Sequence, residues 1–121
     1  MKLTTVILLA LVLFPAMASS ADATQTMAKI LSEMNHFPSD ANKAALAAIA
    51  ADASASEEAK TLAAIISRVA HQVSAADKAT LEAMITNIST SNNGLVIAQA
   101  LLNLKHKVQS SDLAALQNLP E

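Results

Sequence analysis

The chain has 121 residues, 53% of them hydrophobic and 15% charged, with a formal net charge of −2 at pH 7. It contains two Phe, one Gly and no Trp, Tyr or Cys, which excludes a disulfide framework, thiolate metal sites and thiol chemistry. Strands rich in aromatic and β-branched residues, turned by glycines, are also excluded, leaving an all-α protein built on alanine, the strongest helix former.

The N-terminus reads as a signal peptide. Lys2 precedes an almost continuous apolar run over residues 3–17, and Ala16-Met17-Ala18 places small residues where a signal peptidase cleaves. The signal is expected over residues 1–18, with cleavage as late as 21. The apolar run is shorter than the roughly 20 residues of a membrane span, so a secreted or periplasmic location is expected, without membrane interaction after cleavage. Loss of Lys2 moves the net charge to −3. No basic face remains, and nucleic acid is not an expected partner.

Residues 24–119 read as one helical domain with an internal period. His36, His71 and His106 are spaced by 35 residues, and the same offset aligns residues 27–49 with 62–84 and 97–119. Ala28, Ala63 and Ala98 match, as do Leu46, Leu81 and Leu116; Met27/Leu62/Ile97, Leu31/Ile66/Leu101, Met34/Val69/Leu104 and Ile49/Met84/Leu119 stay apolar. Three tandem 35-residue helical-hairpin repeats are expected, with units near 27–61, 62–96 and 97–119, forming a small α-solenoid or a compact bundle.

The expected helices, in chain order, cover 25–36, 39–53, 56–72, 74–88, 92–107 and 111–118. Met27, Ile30, Leu31 and Met34 in the first, and Leu62, Ile65, Ile66 and Val69 in the third, form i, i+3, i+4, i+7 stripes. Pro38 is expected to end the first helix by disfavouring helical geometry at Phe37. Ser39 and Ser74 are expected N-caps, with Asp77 completing a capping box on Ser74. Gln109 occupies the equivalent cap position in the third unit, so Ser110 or Ser111 is expected to cap instead. Ser56 followed by Glu57 and Glu58 is a further helix start. The polar run over 86–94 is expected to form a flexible loop.

The three histidines admit three readings. In the first, each ends a helix and interacts with the negative end of its dipole. In the second, His36, His71 and His106 bind a transition metal or haem, since imidazole is a common ligand of such ions. Equivalent positions in stacked hairpins lie near 10 Å apart, too far for one ion unless the units close around a pseudo-threefold axis. In the third, His71, Ser74 and Asp77 suggest a nucleophilic triad, but Ser74 and Asp77 are already assigned to capping. No phosphate loop or nucleophile elbow is present, and no enzyme activity is expected. The expected function is an exported, non-catalytic helical-repeat protein that binds a protein or peptide and needs no cofactor. The alternative is a periplasmic metal- or haem-binding protein using the three histidines.

Overall fold

The computed structural model describes residues 20–119. The expected signal peptide over 1–18 lies outside them. The described residues form α1 (Ser20–Glu33), α2 (Asp40–Ala51), α3 (Glu57–Arg68), α4 (Ala75–Thr86), α5 (Asn92–Asn103) and α6 (Ser110–Gln117). Among the described residues there is no strand; three isolated bridges span the histidine turns.

The odd-numbered helices stop three or four residues earlier than their apolar stripes suggest. They end at Glu33, Arg68 and Asn103 rather than at 36, 72 and 107. Pro38 is not the cause, because α3 and α5 end at corresponding places without a proline. The Met34, Val69 and Leu104 amides instead bond three residues back, to Leu31, Ile66 and Leu101, at 3.3, 3.2 and 3.3 Å. Their side chains are buried, so the apolar stripe continues into an extended residue after the helix has ended.

Most of the expected caps form. Ser39, Ser56 and Ser74, and also Ser91, which is not among the expected caps, each accept from the backbone N–H three residues on, satisfying an amide that the helix leaves unpaired. The Asp77 carboxylate points to Arg68 instead of closing a capping box. Gln109 is the N-cap of α6 and makes no side-chain cap bond, so neither Ser110 nor Ser111 takes over. The polar run near 86–94 is a short hydrogen-bonded turn. Asn87 Oδ1 accepts from the Ser89 N–H, as Asp52 Oδ1 does from the Ser54 N–H. Glu58 then reaches across from α3, accepting from both the backbone N–H and the hydroxyl of Ser91. Its carboxylate occupies the space that a side chain at Gly94 would fill.

Packing brings α1, α3 and α5 into mutual contact, while α2 covers α3, α4 covers α5 and α6 lies across both α5 and α1. Helices joined by the 52–56 and 87–91 turns pack closely, and α5 and α6 touch across the third histidine turn, whereas α1 and α2, on either side of the first, barely touch. Met27, Leu62 and Ile97 are fully buried, as are Leu31, Ile66 and Leu101. Thr24, Ala59 and Gly94, all buried, keep the three inner helices close. Burying each large aliphatic side chain contributes about 1.5–3 kcal/mol. Because the last helix lies on the first, the packing is that of a compact bundle. Gln25 Nε2 of α1 donates to the Leu119 carbonyl at 3.1 Å.

Candidate functional site

The three histidines sit in loops, three residues beyond the last helical residue, not at helix ends. After the extended residue following each odd helix, the backbone reverses at His36, His71 and His106, whose φ angles are 74°, 71° and 66°. These are the only non-glycine residues with positive φ among those described. Positive φ costs an L-residue about 1–2 kcal/mol relative to glycine, although His tolerates it better than most. Around His106 the Lys107 N–H donates to the Lys105 carbonyl at 2.6 Å, a γ-turn. Asn35 with Phe37, and Ala70 with Gln72, bridge the other two histidines in the same manner. Pro38 and Val108 then bury themselves as the chain returns toward the core.

These reversals bring the three backbones together. The His36 N–H donates to the His106 carbonyl at 2.5 Å, the His71 N–H to the His36 carbonyl at 2.6 Å, and the His106 N–H to the His71 carbonyl at 2.6 Å. Each histidine is thus both donor and acceptor in a closed ring of three hydrogen bonds. Every bond in it joins segments about 35 or 70 residues apart.

The side chains follow the backbones. Ring centroids are 4.9 Å apart for His36–His71, 5.0 Å for His36–His106 and 4.9 Å for His71–His106, a nearly equilateral triangle. His71 Nδ1 and His106 Nδ1 lie 3.0 Å apart, one ring donating and the other accepting. One nitrogen from each imidazole falls within 4.8 Å of the other two. The separation near 10 Å expected for stacked hairpins does not hold, because the chain closes on itself instead of extending.

Chemically, three imidazole nitrogens within 4.8 Å of one another offer a ligand set. Metal–nitrogen bonds of 2.0–2.1 Å at tetrahedral angles require nitrogens roughly 3.4 Å apart, which small rotations about the side-chain torsions can reach. His36 is half-buried and the other two are exposed, so an ion has a path from solvent. The cluster holds no carboxylate.

The suggested triad is not assembled: the Ser74 hydroxyl accepts from the Asp77 N–H, and His71 faces His106. Asp77 takes two hydrogen bonds from Arg68, at 2.7 and 3.1 Å. The Arg68 guanidinium thereby holds the Asp77 carboxyl below its ordinary value, chiefly by direct hydrogen bonding and against an opposing effect of burial. At the corresponding positions Asn103 Nδ2 donates to the Asp112 carboxylate at 3.0 Å, an uncharged donor in place of the guanidinium.

Sequence reasoning found the three histidines but not their backbone conformation, nor the lysines at 105 and 107 that flank one of them. The regular spacing of 35 was the signal for the former; charge confined to one of three equivalent turns was an available signal for the latter. No protein-family model, curated protein or solved structure matches the chain.

Proposed function

We propose that this is an exported protein that binds a divalent transition-metal ion through His36, His71 and His106, and that its three 35-residue units close around a pseudo-threefold axis to form the site. The observation that carries this reading is the convergence of three imidazoles within 4.8 Å on turns that each hold a non-glycine residue at positive φ. Strained backbone of this kind clusters where function requires a particular side chain. Neutral imidazoles suit Zn²⁺, Cu²⁺ and Ni²⁺. Three protein ligands leave a fourth coordination position open.

A haem is a poorer fit, since three rings with centroids 4.9–5.0 Å apart leave no slot for a macrocycle between them. A protein or peptide partner has less support as well. Among the described residues, the large apolar side chains left exposed are Phe37 and Ile88, and isolated exposed side chains are ordinary on a soluble surface.

The test is titration of the apo protein with Zn²⁺, Cu²⁺ and Ni²⁺, followed by thermal unfolding and calorimetry. One ion per chain is expected to bind, raising stability by about 2.7 kcal/mol at 100 times its Kd. The triple variant His36→Gly, His71→Gly, His106→Gly fits the turns and removes the ligands. Equal stabilisation of that variant would overturn the proposal.

A further inference from the structure

The metal reading leaves the electrostatics of the site unbalanced, and the imbalance has a direction. Three neutral imidazoles bring no negative charge to a dication, and the ligand cluster contains no carboxylate. His106 is flanked on both sides by lysines, Lys105 and Lys107, whose backbones bond to each other across it. The residues equivalent to Lys105 are Asn35 and Ala70, and those equivalent to Lys107 are Phe37 and Gln72. Positive residues therefore flank one histidine of the three. A cavity of about 390 Å³ is lined by Ala70, His71, Gln72, Lys105 and His106, so that of the two lysines Lys105 faces it. None of the lining residues is acidic.

Resting on the metal reading, we propose that the open coordination position takes a small oxyanion, a carboxylate, carbonate or phosphate group, held jointly by the ion and the Lys105 ammonium. The metal supplies a Lewis-acidic point and Lys105 a charge-assisted donor. Gln72, on the same wall, adds an amide that can donate to a second oxygen. Without an anion, the ion and the Lys105 ammonium repel one another. With one, the two positive charges share a partner. The site thus favours metal and anion together over either alone, a reciprocal coupling between two ligands.

The experiment uses the full chain loaded with Co²⁺, whose visible spectrum reports its coordination, titrated with acetate and with inorganic phosphate. Anion binding is expected to change the cobalt spectrum saturably and to weaken with added chloride salt. Lys105→Gln should weaken the anion by about fivefold or more without weakening Co²⁺ itself, and Lys105→Arg should restore most of the loss. A normal cobalt spectrum with anion affinity equal in wild type and Lys105→Gln would overturn this inference alone. Absence of any bound-cobalt spectrum would overturn the metal reading and the inference with it.

Discussion

His71 Nδ1 and His106 Nδ1 face each other at 3.0 Å, although 35 residues separate them in sequence. One ring donates and the other accepts across that contact. The ion proposed above would replace this hydrogen bond, with the bridging hydrogen moving to Nε2 of the donating ring. The contact holds two of the proposed ligands near the separation that coordination would require.

Removal of one ligand should be severe. A single His36→Gly, His71→Gly or His106→Gly is expected to weaken the metal by about 100-fold or more, since loss of an outer-shell partner alone typically costs 10–100-fold. Calorimetric titration of the three single variants checks this. Near-equal losses are expected, because the three rings form an almost equilateral triangle.

Backbone strain at the same residues gives an opposite ordering for stability. At φ near 70°, alanine keeps the steric penalty that glycine escapes. His→Ala variants are therefore expected to be less stable than the corresponding His→Gly variants by about 1 kcal/mol per site. Urea unfolding of matched pairs without metal measures the difference. Ala variants at least as stable as Gly variants would show that the positive φ carries no strain.

The six helices and their buried columns were legible in the sequence because apolar residues recur at helical spacing and again at an offset of 35. Ser39, Ser56 and Ser74 were legible as caps for their short hydroxylated side chains. The ends of the odd helices were not. Met34, Val69 and Leu104 are buried like helical residues but lie outside the helices, so hydrophobic periodicity overruns the true boundary. The site's geometry was hidden for a second reason. Backbone reversal is ordinarily marked by Gly or Asn, and here the residue at positive φ is histidine each time. The hydrogen bonds that unite the turns are long-range, and no local pattern encodes them.

The Arg68–Asp77 pair sets an acid limit. The folded-state value of Asp77 is depressed from the ordinary 3.8, so its stabilisation is fully present above that value. It is lost as pH falls through the lower folded-state value. Arg68→Gln is expected to lower stability at pH 7 by about 1 kcal/mol, a modest figure because the guanidinium is 57% exposed. The gap between variant and wild type should shrink below about pH 4, as followed by chemical unfolding across pH.

One cap can be improved. Gln109 has φ −66° and ψ 150°, close to Ser39 at −69° and 165°, yet its side chain makes no cap bond. Gln109→Ser is expected to add about 1 kcal/mol and raise the melting temperature by several degrees. Since α6 is the shortest of the described helices, with 8 residues, the gain should also appear as slower amide exchange there.

The hydrogen bond from Gln25 to the Leu119 carbonyl and the contact of α6 with α1 make the order of the three segments a matter of where the chain happens to be cut. A circular permutant joining residue 119 to residue 20 through a short linker, and opened within the 87–91 turn, would keep every described helix and all three histidine turns. Such a permutant is expected to fold and to retain the metal affinity of the parent. What unites the molecule would then be its arrangement around the histidines, independent of which segment is synthesised first.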